Sequence, residues 1–145
     1  MLIDTSALIP FFRKDEQLKD HPTALLTKQK VREVINFKYK IDYTPIILQE
    51  VLHGFHGQKE YDVAFALFED SGEMHQFTDQ KQAAIDAADI AVQCRRKGRT
   101  IKSPNDCIIA LIAIRFNLVL LHHDRDFLNI GKLYPSLNQI HFLDA

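Results

Sequence analysis

Acidic side chains recur at the boundaries of apolar segments in this 145-residue sequence. Asp4 follows the apolar stretch MLI, and Asp124 follows LVLLHH. Asp106 lies just before the apolar run CIIALIAI, and Glu50 interrupts the segment IILQEVL. Because an unpaired carboxylate is costly to bury, acids in these places need either a hydrogen-bonding role or a counter-charge.

Converging carboxylates would have a definite chemistry. Two of them about 4 Å apart repel by about 4 kcal/mol at an effective dielectric constant of about 20. Such a cluster must either keep protons through raised pKa values or bind a cation. Oxygen ligands without a nearby thiolate favour Mg²⁺ or Mn²⁺ over Zn²⁺. These ions activate water and stabilise the leaving oxygen of a phosphodiester, so the acids indicate metal-dependent phosphodiester hydrolysis.

Strands and helices alternate along the chain and would position these acids. The predicted strands are MLID, IDYT, MHQFT, LVLLH and QIHFL. The predicted helices are a segment from Thr5 or Ser6 to about Lys14, ALLTKQKVREVINFKYK, PIILQEVLHG, EYDVAFALFED, DQKQAAIDAADIAVQCRRKG with Gly98 as its C-cap, a helix from Pro104, and DRDFLNI. This alternation predicts an α/β fold with a mostly parallel sheet of four to five short strands, covered by helices on both faces. If the first and fourth strands are neighbours, Asp4 and Asp124 face each other where strand order reverses.

Composition limits the remaining classes of function. The chain has 18 Lys and Arg against 19 Asp and Glu, so any RNA contact must come from local basic patches. Its length and hydrophobic content predict one domain over residues 1–145. Cys94 and Cys107 are expected to be buried thiols. We find no signal peptide and no apolar run long enough to span a bilayer, so we expect a cytoplasmic protein without membrane association.

Each acid also has an ordinary explanation. Asp106 could only favour a helix dipole, Asp124 could be an N-cap, and Glu50 could face solvent. Asp4 is harder to explain in this way, because Thr5 and Ser6 beside it are the expected caps. All four lie where the topology brings strand ends and helix starts together, and this coincidence favours a site.

Four segments carry a family resemblance: MLIDTSALI, TPIILQEVLHG, SPNDCIIALIA and LVLLHHDRDF. In this order they resemble PIN-domain ribonucleases, and among them the small VapC-type toxins of toxin–antitoxin pairs. The resemblance covers nearly the whole chain. It implies a three-layer α/β/α sandwich and a Mg²⁺- or Mn²⁺-dependent endoribonuclease that forms a homodimer and is held inactive by a cognate antitoxin. It assigns the metal and the chemistry to Asp4, Glu50, Asp106 and Asp124, with Asp126, Thr5 and Ser6 as outer or supporting residues.

One position departs from the family pattern. His122 stands where the family commonly has threonine or serine. Three roles are open for its imidazole: it could orient Asp124, coordinate a metal, or simply be tolerated.

Basic residues close to the acids are the candidates for RNA binding. They are Arg95, Arg96, Lys97, Arg99 and Lys102 in the segment CRRKGRTIK, together with Arg13 and Arg125. The alternative for the CRRKGRTIK segment is a solvated helix end whose cations favour the helix dipole. Arg13 and Arg125 could instead neutralise the acids or receive an acidic antitoxin segment.

The sequence lacks the motifs of several other protein classes that would place acids or phosphate-binding loops on a similar sheet. It contains neither G-x-x-x-x-G-K-[ST] nor G-x-G-x-x-G, which argues against P-loop nucleotide hydrolysis and dinucleotide binding. The first predicted strand is followed by neither the D-x-D of a haloacid-dehalogenase-type phosphatase nor the acid pair of a receiver domain. The remaining alternative is a catalytically silent PIN-like module that binds RNA or protein. The intact set of four acids argues against it, since their repulsion brings a scaffold no benefit.

Overall fold

The sheet of the computed structural model, which describes residues 1–37 and 40–142, contains five parallel strands. They are β1 (Leu2–Ile3), β2 (Ile41–Tyr43), β3 (Gly72–Met74), β4 (Leu120–His122) and β5 (Gln139–His141), in the order β3-β2-β1-β4-β5. Leu2 lies opposite Leu120, so the first and fourth strands are neighbours. The predicted α/β class and parallel sheet are confirmed.

Eight helices are present among the described residues. They are α1 (Thr5–Phe12), α2 (Asp15–Leu18), α3 (Pro22–Asn36), α4 (Pro45–His53), α5 (Gln58–Ser71), α6 (Gln80–Arg96), α7 (Pro104–Arg115) and α8 (Arg125–Leu133). Strand order reverses between β1 and β4, so right-handed connections before and after that point lie on opposite faces of the sheet. Accordingly, α1 packs on α3 and α4, while α6, α7 and α8 pack on one another. The result is the predicted α/β/α sandwich.

The core lies on both sides of the two central strands. Leu2 and Ile3 of β1 and Leu120 and Leu121 of β4 are buried, as strands covered on both faces should be. Helix α7 buries nearly its whole middle, because it packs against both α6 and α8. Cys94 and Cys107 are buried free thiols. No helix in the described ranges has the length and apolar character needed to cross a membrane.

Two of the four predicted site acids cap helices, and one of these caps differs from the expectation. The expected caps of α1 were Thr5 or Ser6, but Asp4 is the N-cap, and its Oδ2 accepts the backbone N–H of Ser6 over 2.9 Å. Asp4 takes this role because its extended backbone (φ −71°, ψ 157°) directly precedes the first helical residue. Asp124 caps α8 in the same way by accepting the N–H of Asp126.

The end of α6 follows the prediction. Gly98 has φ +74°, its N–H bonds to the carbonyl of Arg95, and the N–H of Arg99 bonds to that of Cys94. This is a Schellman motif, in which a residue without a Cβ adopts the left-handed conformation at low cost. The motif turns the basic segment back towards α7.

Three boundaries differ from the prediction. The third strand is Gly72–Met74 rather than MHQFT, because the chain passes close to Tyr43 directly after α5, and a Cβ at Gly72 would lie 2.6 Å from the Tyr43 ring. The short helix α2 lies between the first two predicted helices, where no helix was predicted. The helix predicted over ALLTKQKVREVINFKYK ends at Asn36. Lys38 and Tyr39 of that segment and Leu143 of QIHFL lie outside the described residues.

Candidate metal centre

A cavity of about 510 Å³ opens beside the carboxyl ends of β1 and β4. Asp4 reaches it because it directly follows β1, and Asp124 because it begins α8 two residues after β4. Glu50 comes from α4 and Asp106 from the first turn of α7. All four of the predicted acids therefore line one cavity at the switch point of the sheet.

Asp4 is held by hydrogen bonds from Ser6. The carboxylate is 4% exposed, and its Oδ2 accepts the Ser6 hydroxyl over 2.6 Å as well as the Ser6 backbone N–H. The Ser6 hydroxyl oxygen in turn accepts the backbone N–H of His123 over 3.0 Å. Burial raises the pKa of Asp4, with a further contribution from Glu50, although the hydrogen bonds from Ser6 act in the opposite direction.

Glu50 is oriented through both of its carboxylate oxygens. Oε2 accepts the hydroxyl of Thr5 over 2.7 Å, and Oε1 accepts the side-chain amide of Asn105 over 3.0 Å. Glu50 is thus fixed between the starts of α1 and α7. Asn105 was not among the predicted site residues, although it lies directly before Asp106 in SPND.

Asp106, Asp124 and Asp126 lie close enough together to share a metal ion. One oxygen atom from each lies within 4.8 Å of the others. Asp126 is 6% exposed and does not line the cavity, and its Oδ2 accepts the backbone N–H of Lys102 over 2.8 Å. Asp126 therefore links the basic segment before α7 to the acid group through this hydrogen bond, from a position outside the cavity lining.

Asp106 is the acid whose pKa is most affected by its neighbours in this group. Its pKa is raised to about 8, first by burial and then by the charges of Asp4, Asp124, Asp126 and Glu50. Within residues 1–37 and 40–142 its carboxylate receives no hydrogen bond. An excess of hard oxygen donors with too little positive charge is what a divalent cation of the Mg²⁺ type fits.

A second acid group, on β2 and at the edge strand β3, behaves differently. Asp42, Glu73 and His75 also bring donor atoms within 4.8 Å of one another. However, Asp42 accepts hydrogen bonds from the N-terminal ammonium of Met1 over 2.8 Å and pairs with His75 over 2.7 Å. Burial acts to raise the pKa of Asp42, but these two partners outweigh it and lower the pKa. The charge of Asp42 is therefore already balanced within the protein.

His122 is engaged at both ring nitrogens. Its Nδ1 accepts the backbone N–H of Asp124 over 3.1 Å, and its Nε2 lies 2.7 Å from Oε1 of Gln139. The side chain is 0% exposed. Of the three roles left open by the sequence, the geometry supports orientation of Asp124 and leaves no ring nitrogen for a metal.

The predicted RNA-binding cations surround the site without entering it. Arg13 lines two neighbouring cavities, of about 590 and 380 Å³, on either side of α1. Among the described residues, none of the seven cations lines the acid cavity, and none forms an ion pair. They are exposed apart from Arg99, whose Nε atom is buried without a hydrogen-bond partner in the described part of the chain.

The fold and the acids together define an α/β protein with a candidate divalent-metal centre at the switch point of its sheet. The PIN domain family model matches residues 1–133, and the chain belongs to this family. It is 30% identical over 137 residues to VapC ribonuclease Mb1587 of Mycobacterium bovis, covering 92% of each chain. Ribonuclease VapC11 of Mycobacterium tuberculosis matches to the same extent.

Solved structures agree on the fold. VapBC2 from Rickettsia felis, bound to a DNA fragment from its promoter, aligns with a TM-score of 0.65 and 17% identity, covering 97% of this chain and 96% of that one. VapBC-1 from nontypeable Haemophilus influenzae aligns with a TM-score of 0.62 and 17% identity, covering 98% and 97%. At these identities the likeness shows that the arrangement of strands and helices is shared.

Proposed function

We propose that this chain is one PIN domain that acts as a metal-dependent endoribonuclease of the VapC type. The observation that carries the proposal is the meeting of Asp4, Glu50, Asp106 and Asp124 at one open cavity, with the pKa of Asp106 raised to about 8 by burial and by the other acids. The names of the Mycobacterium relatives, which call them ribonucleases, support the same activity.

The residues that would hold the cofactor are Asp4, Glu50, Asp106 and Asp124. Mg²⁺ or Mn²⁺ suits this donor set, since its members are all hard carboxylate oxygens and none is a thiolate. When bound, a divalent ion would offset the carboxylate charge and act as a Lewis acid towards a phosphodiester and the attacking water.

The protein's own residues supply the orientation. Ser6 holds Asp4, and Thr5 and Asn105 hold the two oxygens of Glu50. Asp126 binds the Lys102 backbone and so acts as a supporting residue rather than as a cavity ligand. Metal-site partners of this kind affect affinity or activity by about 10- to 100-fold when they are removed.

RNA would approach across the exposed cations. The segment with Arg95, Arg96, Lys97 and Lys102 is exposed at the end of α6 and in the following turn, and Asp126 ties that turn to the acids. Contacts between such side chains and phosphates supply affinity without sequence preference. Arg13, Arg99 and Arg125 are the remaining residues that we propose to bind RNA.

The proposed partners are a cognate antitoxin and a second copy of this chain. The titles of two aligned structures name VapBC assemblies, which supports an antitoxin partner. Co-expression of the chain with the product of a neighbouring short open reading frame, followed by measurement of the mass of the purified complex, tests both partners. A monomer without a bound partner would contradict this part of the proposal.

Cleavage of a panel of tRNA and structured RNA, with Mg²⁺, with Mn²⁺ and with chelator, tests the nuclease. Asp4→Asn removes one proposed ligand, and Asp70→Asn on the exposed face of α5 is the matched control. We expect metal-dependent cleavage by wild type and by Asp70→Asn but not by Asp4→Asn. Cleavage that survives chelation or Asp4→Asn would overturn the assignment. Metal binding by wild type without cleavage of any RNA would favour the silent binding module.

A further inference from the structure

A series of hydrogen bonds leads from α8 through the edge strand to the backbone N–H of Asp124, one of the four proposed ligands. The carbonyl of Phe127 accepts Nε2 of Gln139 over 3.0 Å. Oε1 of Gln139 lies 2.7 Å from Nε2 of His122, and Nδ1 of His122 lies 3.1 Å from the backbone nitrogen of Asp124. The inference drawn from this series rests on the proposed function, because Asp124 is one of its four acids.

The two ends of the series determine the direction of every hydrogen bond in it. A carbonyl can only accept, so Gln139 presents its N–H₂ to Phe127 and its oxygen to His122. A backbone N–H can only donate, so Nδ1 of His122 must carry a lone pair towards Asp124. Both conditions are met only by the neutral imidazole with its proton on Nε2. An imidazolium would direct Nδ1–H at another N–H group.

Packing holds the series in place. Gln139 pairs with Leu120 across the β4–β5 ladder, so its side chain lies diagonal to that of His122. The ring of His122 contacts Phe127 at 4.9 Å and His141 at 5.4 Å between centroids.

Gly131 of α8 provides the space for the Gln139 amide. A Cβ at this position would lie 2.0 Å from Nε2 of Gln139. Glycine inside a helix is less favourable than alanine, so this residue weakens α8 while it admits the side chain.

We propose that Gln139 and His122 are positioning residues for Asp124, and that Gly131, which has no Cβ, leaves the space that the Gln139 side chain occupies. Gln139 selects the Nε2–H tautomer of His122, and His122 then fixes the backbone N–H of Asp124. The carboxylate of Asp124 also accepts the backbone N–H of Asp126 and so caps α8. Both the backbone N–H and the carboxylate of Asp124 are therefore fixed by hydrogen bonds, and together they set the direction of its side chain into the cavity. The unusual histidine at this position thus acts together with a glutamine on the neighbouring strand.

Imidazole ¹⁵N NMR of the full chain, with Mg²⁺ and with chelator, tests the tautomer directly. We expect the His122 signals of a neutral ring protonated at Nε2 at neutral pH. A ring protonated at Nδ1, or at both nitrogens, would overturn the proposal. This readout does not depend on cleavage, so it also decides the matter if no RNA substrate is found.

Two pairs of variants test the effect on Asp124. Gly131→Ala favours the helix but displaces the Gln139 amide, and exposed Lys132→Ala on the same helix is its control. His122→Asn keeps an acceptor near Nδ1, whereas His122→Gln keeps only the reach towards Gln139.

We expect Gly131→Ala and His122→Gln to lower Mn²⁺ affinity and kcat by about 10- to 100-fold, with KM for RNA unchanged. His122→Asn should retain more of both than His122→Gln. Equal Mn²⁺ affinity in wild type and Gly131→Ala would overturn the proposal, and so would equal losses in the two His122 variants. Absence of cleavage by wild type would instead count against the proposed function.

Discussion

Asn105 donates its side-chain amide to Oε1 of Glu50 over 3.0 Å, and this contact joins the first turn of α7 to α4. Thr5 binds the other oxygen of the same carboxylate. Glu50 is the only one of the four proposed ligands that lies inside a helix away from its start, and its side chain is the longest of the four. The hydrogen bonds from Asn105 and Thr5 restrict the rotation of that long side chain and fix the direction of its carboxylate.

Replacing Asn105 should therefore weaken the metal site. We expect Asn105→Ala to lower Mn²⁺ affinity and cleavage by about 10- to 100-fold, because Glu50 loses one of two orienting hydrogen bonds. Titration calorimetry of the metal-free chain measures this effect. Thr5→Val removes the other donor and should act similarly, with the double variant less than additive. Wild-type affinity in Asn105→Ala would show that the contact is incidental.

Asp106 should make the metal-free protein less stable as pH rises. Its folded-state pKa of about 8 lies above the ordinary 3.8, so the folded state holds this proton more tightly than the unfolded chain does. The stabilisation is present below pH 3.8 and is lost as pH rises through about 8. The slope is at most about 1.4 kcal/mol per pH unit. Denaturant unfolding in chelator between pH 5 and pH 9 measures it.

Asp106→Asn and added Mg²⁺ should each flatten this dependence. The variant cannot ionise, and the cation neutralises the carboxylate in the wild type. Far from the site, Asp70→Asn should leave the slope unchanged. A wild-type protein whose stability rises with pH over this range would contradict the placement of Asp106 among the other acids.

His122 should act in the opposite direction at acid pH. Burial lowers its pKa to about 4, outweighing the contribution of Gln139, so the folded state disfavours the charged ring. The corresponding stability is present above pH 6.5 and is lost as pH falls towards 4. Unfolding measured in an Asp106→Asn background isolates this effect, since Asp106 no longer titrates there. Adding His122→Asn should remove the acid-side loss, and an unchanged loss would assign it to another group.

The basic segment should account for the salt dependence of RNA binding. We expect Arg96→Ala to lower the slope of log affinity against log salt by about 0.7 for single-stranded RNA, as loss of one phosphate contact does. Arg32→Ala is a matched control, because this exposed arginine lies on α3 in the other helix layer. Binding measured with Asp4→Asn in the background avoids cleavage of the probe. Equal slopes in the two arginine variants would remove Arg96 from the RNA surface.

The sequence was enough to predict those site residues whose place follows from the order of strands and helices along the chain. Asp4 and Asp124 follow apolar strands, and the parallel fold brings such ends to one edge. The pattern also predicted the buried strands and the end of α6 at Gly98, because hydrophobic periodicity and turn chemistry are local signals.

The remaining parts depend on contacts between distant residues. Asn105 and Gln139 are uncharged amides with no characteristic spacing, and their roles appear only when α7 meets α4 and when β5 pairs with β4. The start of β3 was missed because it depends on the close passage of Gly72 by Tyr43. The cap of α1 was assigned to the wrong residue because an acid at a strand end fits two roles, and Asp4 performs the cap while it lines the cavity.

The position of β1 between β2 and β4 has a consequence for protein synthesis. Asp4 is made well before Asp124, and Asp124 follows the strand that completes its side of the cavity. A nascent chain that ends before β4 has the first acid but not the cavity wall that faces it, even if its earlier elements fold as they emerge. On the proposed function, the growing polypeptide stays inert towards the RNA of the ribosome that makes it until β4 has taken its place beside β1.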